Sequence, residues 1–592
     1  MTLGFAACQG VSGNSSPNQV SVTLNQSSVN LEPGGTTQFS ATVLGTSNTA
    51  VTWSVDAISG GNSSVGTITT AGVYTAPSQT GTHTVTATSV ADTTKTASAT
   101  VTVTNSNNTT GSVLTYHNDD ARDGAFSQET ILMPSNVSSS TFGKLVSYPL
   151  DGQAYAQPLF VSQLNINGAS HDVVFVATEN NSVYAFDANG SPSTALWTKS
   201  LGTPVPHNDP YGISPQLGIT STPVIDIKTG TMYVVSESSD GPFKLHALDI
   251  TSGAEKFGGP VLITGSVSGT GWDNVGGTIT LEDSCYQRMG LALNPITNLI
   301  YIGFGDCNHG WLLAYDKTSL QQKAIFNDTP DGAGGGLWAS GGAVAINDQT
   351  GDVFLISGVD AGDPASGYND AFLRLSGSDL SVLDYFQPDN EALLRANDAD
   401  LGAGAAILMP DNSSSTPHET IGGGKDGRIF IINRDSMGSF NPNENNVIET
   451  VQTGVKEFNN IFSTPVYWNG YIYYHCDDDV LQAFSWSNGL LSSQPVSSAA
   501  TIFQMHGATP SLSSNGTMNG IIWEIDNTNY GTGPSVLHAF DATNVANELY
   551  NSTQAGSRDT AGLALKFTVP SIVGGKVFVS TSDELDIYGL LP

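Results

Sequence analysis

A five-residue phrase written eight times constrains this chain more than anything else in it. The copies are VYAFD (183–187), LHALD (245–249), LLAYD (312–316), FLRLS (372–376), IFIIN (429–433), LQAFS (481–485), LHAFD (537–541) and LDIYG (585–589), spaced 48 to 67 residues apart. The stretch from Leu217 to Phe257 shows what each copy belongs to. STPVIDI, TMYVVSE and FKLHALD read as three apolar, β-branched strands, KTG and SSDGP as the turns between them, and ITSG leads into a fourth strand at AEKF. Four strands per repeat, at this repeat length, is the pattern of a β-propeller blade. The expected architecture is all-β, with eight blades. The last copy holds only three strands, KFTVPSIV, KVFVSTS and LDIYGLL, while FGKLVSYPL (142–150) stands before the first copy without a partner. Pairing that strand with the C-terminal blade would close the ring and remove its exposed sheet edges.

The charge balance argues against one class of partner. With 53 acidic and 19 basic residues, a net charge of −34, the chain offers no basic surface to nucleic acid. A solvated, secreted surface is the expectation. No apolar run is long enough for a membrane span. There is no GxSxG, HExxH, GxxxxGK[ST] or EF-hand pattern. His207, His309, His475 and His506 fall in different repeats and do not read as a cluster.

The four cysteines carry separate readings. MTLGFAACQGVSGNSS resembles the tail of a lipoprotein signal peptide, with Cys8 after a small-residue pair and a polar tether behind it (to residue 18). Cys8 is then expected to carry lipid, and the protein to be exported to the cell envelope or secreted. Cys285 and Cys307 flank a hairpin centred on Ile296. Each lies eleven residues from that centre, which places them opposite one another, within reach of a disulfide. Two buried thiols are the alternative. Cys476 is left over.

Residues 19–104 read as a separate domain of about seven short alternating strands with Trp53 as its core aromatic, a sandwich pattern. EPGGTTQFSATV, TWSV, GVYTAP and HTVTATS resemble bacterial Ig-like domains of surface proteins, which implies a spacer or adhesion module. NSNNTTG (105–111) is a linker, and the propeller occupies 112–592.

The propeller text resembles the quinoprotein dehydrogenases, whose blades bind pyrroloquinoline quinone (PQQ). YHNDDARDGAFSQETILMPSNVSSSTFGKLVSYPLDG (116–152), TPVID…YVV…LHALDITSG, GGGLWASGGAVAINDQTGDVFLISG (334–358), GGGKDGRIFIINRD (422–435) and NDADLG (397–402) carry the resemblance. It implies that Trp338 stacks under the quinone, that Lys425 contacts the dione oxygens and so polarises the carbonyl that receives hydride, and that Asp400 is the general base. It implies Glu237 and Asp360 as candidate Ca²⁺ ligands. The departures are as definite. Val359 stands where the family has a Ca²⁺-binding Asn, and Ala399 where it has a Trp. PHNDPYGISPQLG (206–218) holds no adjacent cysteine pair, and no CxxCH haem motif is present.

Each of these residues also has a bland reading: Trp338 as a packing aromatic between blades, Lys425 as a turn residue, Asp400 as a surface turn. Asp187, Asp249, Asp316 and Asp541 close the repeat phrase and read as structural, as do His246 and His538. The sequence alone favours a non-catalytic binding or scaffold protein of the cell envelope, presenting a glycan, peptide or protein site. The alternative is a PQQ- and Ca²⁺-dependent alcohol or sugar dehydrogenase. The two separate on whether Trp338, Lys425 and Asp400 converge on one pocket at the channel mouth, with at least two carboxylate or amide oxygens placed for Ca²⁺.

Overall fold

The computed structural model describes residues 19–592 except 32–35, 78–80, 104–110, 210–211, 306, 360–366 and 454–458. Cys8 and Asp360 fall outside the described residues. The chain divides into two compact units, Met1–Asn108 and Thr109–Pro592.

In the first unit, Gly81–Ser89 and Thr96–Val103 alternate Thr with small or branched apolar residues and pair antiparallel from Gly81↔Val103 to Thr88↔Thr96. Val51–Val55 joins them in a five-stranded sheet. The apolar side chains of that alternation point one way, as the pleat requires. Trp53, Val55, Val85, Ala87 and Val101 thus meet Ile68 and Tyr74 of a four-stranded sheet in a single core.

The second unit repeats one sheet. Leu159–Ile166, Ala169–Ala177, Ser182–Asp187 and Trp197–Ser200 pair in simple up-and-down order. Sheets of the same order begin at Val224, Ala292, Ala345, Ile407, Val466 and Ser511. In the eighth, Ser571–Val573, Lys576–Ser580 and Glu584–Leu590 take their fourth strand from Phe142–Pro149, in register from Phe142↔Leu590 to Pro149↔Glu584 with one bulge after Lys144. The strand that the sequence leaves without a partner is the one that closes the ring.

The repeated phrase is the third strand of each sheet. Its final Asp has a local task. Oδ1 of Asp249 accepts the N–H of Thr251 (2.9 Å), Oδ1 of Asp541 that of Thr543 (2.9 Å), and Oδ1 of Asp316 those of Thr318 (3.0 Å) and Ser319 (2.7 Å). These bonds fix the turn into the fourth strand. The second strands are buried on both faces, as in Thr231–Ser238, so they read as continuous apolar runs. Their side chains fill the spaces between neighbouring sheets; one such cluster joins Val174, Phe186 and Ile225 to Phe578 and Ile587 of the closing sheet. The one α-helix among the described residues is Glu391–Ala396.

Two kinds of segment share one side of the ring: the turns between second and third strands, and the connections that lead from one sheet to the next. The candidate site is built from these.

Candidate functional site

Trp338 lies in the connection between Gln322–Asn327 and Ala345–Ile346. After it the backbone passes through three left-handed residues, Ala339 (φ 45°), Ser340 (φ 49°) and Gly341 (φ 93°). Non-glycine residues in that region cost about 1–3 kcal/mol each and persist only where something holds them. Ser340 supplies a hold: its hydroxyl donates to the carbonyl of Ala403 at 2.7 Å. That bond ties the Trp338 loop to the turn Leu401–Ala403, which follows Asp400 directly.

Lys425 sits in the turn between Glu419–Gly423 and Arg428–Asn433. Gly424 allows this turn to lie against Asp400, since a Cβ at 424 would fall 2.4 Å from the Asp400 carbonyl oxygen. The Lys425 N–H donates to that same oxygen at 2.9 Å. Its Nζ is 2.5 Å from Oδ2 of Asp400, donates to the Asp398 carbonyl at 2.9 Å, and stands 5.8 Å from the centroid of the Trp338 ring. Asp370, fully buried, accepts the Leu401 N–H on Oδ1 at 2.8 Å. Burial, reinforced by Asp400, Glu391 and Asp426, pushes its carboxyl well above the usual range against that hydrogen bond.

Trp338, Asp400 and Lys425 therefore face one cavity of about 820 Å³. Its aromatic wall continues beyond Trp338. Phe462 and Phe567 each lie 6.2 Å from the Trp338 ring, and His506 stacks on Phe567 at 4.9 Å with 4° between the planes. Arg288 and Lys566 line the same cavity. Burial, together with Lys566, Arg288 and Lys425, brings His506 down to about 4 despite the opposing pull of Asp477, so its ring is neutral. Glu237 is on the opposite side of the charge balance. Burial first, then Glu179 and Asp283, raise it to about 8, which leaves it protonated at neutral pH.

Cys285 and Cys307 form a disulfide with Cα atoms 4.8 Å apart, and Cys307 lines the cavity. The two are not within paired strands, as hairpin arithmetic suggests. The ladder of that hairpin ends at Ala292↔Tyr301, and an isolated bridge from Tyr286 to Gly305 brings the cysteines together beyond it. His207, read as an isolated loop residue, also reaches the cavity, with Nε2 2.6 Å from the Tyr286 hydroxyl. His309 is instead held by Asp273 at 3.0 Å, and His475 by Glu524 at 3.0 Å.

The structure thus places four sequence candidates, Trp338, Lys425, Asp400 and Glu237, around one cavity. Trp338 is buried and packs against Ala403, Phe462 and Phe567 on the cavity wall. Arg288, Phe462 and His506 are additions that the repeat pattern does not single out, because they lie in connections between repeats; Lys566 and Phe567, read as the start of the strand KFTVPSIV, instead precede that strand, which spans only Ser571–Val573. One signal was available: Lys and Arg are so scarce here that any in a connection is unusual.

A planar quinone fits these residues. Trp338 offers an aromatic face, Lys425 a fixed cation, Asp400 a carboxylate, and the volume is ordinary for a cofactor-sized ligand. A Ca²⁺ ion does not fit in the same way. Ca²⁺ takes six to eight oxygen ligands, and among the described residues no three His, Cys, Asp or Glu side chains come together as a ligand set.

No protein-family model matches the chain, and no curated protein matches it. Solved structures do. A quinohemoprotein alcohol dehydrogenase from Pseudomonas putida HK5 superposes with a TM-score of 0.54 at 12% identity, over 81% of this chain and 80% of that one. The quinohemoprotein alcohol dehydrogenase of Comamonas testosteroni gives 0.53 at 13% identity, over 81% and 80%. The fold is a β-propeller. At these identities the likeness establishes the fold and leaves function to the site. BamB from Moraxella catarrhalis is also similar, at a TM-score of 0.45 and 11% identity over 76% of this chain and 99% of that one, too low to argue from.

Proposed function

We propose that the cavity binds a planar quinone of the PQQ type and that the chain is a quinone-dependent dehydrogenase of an alcohol or sugar. The observation that carries this reading is the meeting of Trp338, Lys425 and Asp400, from three separate segments, at one cavity. The bland readings of these residues need no such meeting. A bound quinone would supply the two-electron acceptor for the hydride of the substrate carbon.

The chain's own residues do the rest. Trp338 orients the ring system by stacking. Lys425 places its ammonium where carbonyl oxygens gain negative charge, the kind of fixed charge that is worth most in a water-poor site. Asp400 accepts the hydroxyl proton of the substrate. Its contact with Lys425 at 2.5 Å fixes the position of the carboxylate for that task. The disulfide at Cys307 and the Tyr286–His207 pair stiffen the wall of the cavity.

Dye-linked turnover of primary alcohols and aldoses by protein loaded with PQQ, with and without Ca²⁺, tests this. Turnover that falls at least a hundredfold in Asp400→Asn, with quinone still bound, supports the assignment. Quinone binding with no turnover of any alcohol or sugar would return the chain to a non-catalytic binding role at the cell envelope.

A further inference from the structure

The side of the ring away from Trp338 holds a second cavity, of about 630 Å³, among the turns between first and second strands. Part of its wall comes from the segment that precedes the closing strand. Residues 119–123 run past three sheets and offer each a carbonyl. Asp120 O accepts the Ile346 N–H at 2.7 Å, Ala121 O that of Leu408 at 2.9 Å, and Asp123 O that of Tyr467 at 2.9 Å. Arg122 is fully buried and donates to the carbonyls of Val344, Tyr116 and Asp119. These bonds hold Asp119, Asp120 and Asp123 at the cavity wall.

The basic groups of the lining already have partners. Arg374 pairs with Asp352 at 2.6 Å, Arg434 with Asp411 at 3.1 Å and His418 with Asp435 at 2.8 Å. Of the cavity's seven aspartates, Asp119, Asp120, Asp123 and Asp348 are left without an ion pair among the described residues. Burial raises Asp119 to about 6 and raises Asp120 and Asp123 as well. Arg122 pulls against this at Asp119 and Asp120, while Asp348 adds to it at Asp120 and Asp119 adds to it at Asp123. A cation in the cavity would relieve these carboxylates.

A second observation asks for the opposite kind of group. Arg434 is 6% exposed and lines the cavity, and its Nε is buried without a hydrogen-bond partner. Its Nη2 is taken by the Met409 carbonyl and Asp411. A buried donor left unmet is costly, and an acceptor oxygen on a ligand would meet it. A metal ion would answer the carboxylates alone, and among the described residues no three His, Cys, Asp or Glu side chains come together as a ligand set.

We propose that this cavity binds an organic cation with an acceptor oxygen a few bonds away, the pattern of a lysine or arginine residue. The ammonium or guanidinium lies among Asp119, Asp120, Asp123 and Asp348, and the carbonyl accepts from Nε of Arg434. A basic side chain of a peptide and a free basic amino acid both present these groups. The site is independent of the quinone reading and needs neither cofactor nor turnover.

Calorimetric titration of the full chain with Nα-acetyl-L-lysine amide tests this, in about 0.15 M salt, where diffuse attraction to the net charge is screened. Saturable binding is expected. Nα-acetyl-L-norleucine amide, which lacks the ammonium, and n-pentylamine, which lacks the carbonyls, should each bind at least about tenfold more weakly. Asp120→Asn and Asp348→Asn should each weaken the lysine derivative about fivefold or more without lowering the thermal midpoint of the ligand-free protein, because each removes a repelled charge. Arg434→Lys, which keeps a cation beside Asp411 but deletes Nε, should bring the lysine derivative down to the level of pentylamine. Free lysine that binds as tightly as the capped form assigns the site to an amino acid, and weaker binding of free lysine assigns it to a peptide. Absence of saturable binding, equal affinity for the norleucine derivative or for pentylamine, or unchanged affinity in both aspartate variants would overturn the site. Displacement of the lysine derivative by about 1 mM Ca²⁺, a concentration that weak calcium sites require, would overturn it too and give the cavity to a metal. Failure of the quinone reading would leave each of these results as it is.

Discussion

Gly358 lies against Asp400 so closely that a Cβ there would stand 2.9 Å from Oδ1 of Asp400 and 3.4 Å from Nε1 of Trp338. Glycine at this position is what lets a carboxylate and an indole flank the same strand end. Gly358→Ala is expected to push Asp400 out of place, since Lys425 holds its other oxygen. Overpacking of this kind costs about 1–3 kcal/mol. Quinone affinity and turnover should fall together while the far-ultraviolet circular dichroism is unchanged, which stopped-flow and equilibrium titrations can check.

The Lys425–Asp400 pair is mostly buried, with side chains 17% and 8% exposed. Lys425→Met leaves a buried carboxylate without its cation and should destabilise the protein by about 3 kcal/mol. The double variant Lys425→Met, Asp400→Leu should recover much of that loss while remaining inactive. Urea unfolding of the three proteins measures both effects.

His475 and Glu524 come from neighbouring sheets, are both fully buried, and meet at 3.0 Å. Burial alone would depress the histidine. The Glu524 carboxylate and the Asp479 carbonyl, 3.0 Å from Nε2, outweigh it, and the net shift is upward. A raised histidine stabilises the fold fully below its unfolded value of about 6.5 and loses that contribution as pH rises through its folded value. The thermal midpoint should therefore decline above neutral pH more steeply in the parent than in a His475→Gln, Glu524→Gln variant. Parallel profiles from pH 5 to 10 would contradict the charged-pair assignment.

The disulfide joins residues 22 apart in sequence, a loop whose closure is worth about 3 kcal/mol. Cys285→Ala, Cys307→Ala should lose roughly that amount in urea unfolding. Because Cys307 lines the cavity, the variant should also bind quinone more weakly, an effect that loss of a remote disulfide would not produce.

The strands were legible because burial on both faces forces apolar, β-branched runs, and because the Asp that closes each phrase has a turn to hold. The closing strand was legible from arithmetic alone: three strands at one end, one spare at the other. Trp338, Lys425 and Asp400 were legible only through the resemblance, since nothing in the spacing of 338, 400 and 425 says that three loops meet. What joins them is backbone: the left-handed run after Trp338, the Ser340 hydroxyl on Ala403, and the close approach at Gly424. Arg288 was missed because its place at the cavity depends on which connections share one side of the ring, and Lys566 because it reads as the start of a strand. Trp53, by contrast, sits in an alternating strand and declares its own burial.

The measurement that bears most directly on the central claim is an equilibrium titration with PQQ, read by quenching of tryptophan fluorescence, on the parent protein and on Trp338→Ala. A planar ligand stacked on Trp338 beside Lys425 predicts saturable quenching with a dissociation constant of tens of micromolar or tighter, about −6 kcal/mol or better. It also predicts loss of most of that quenching and at least tenfold of the affinity in the variant. No saturable quenching in the parent at these concentrations, or the same dissociation constant in Trp338→Ala, would contradict a quinone site at this cavity.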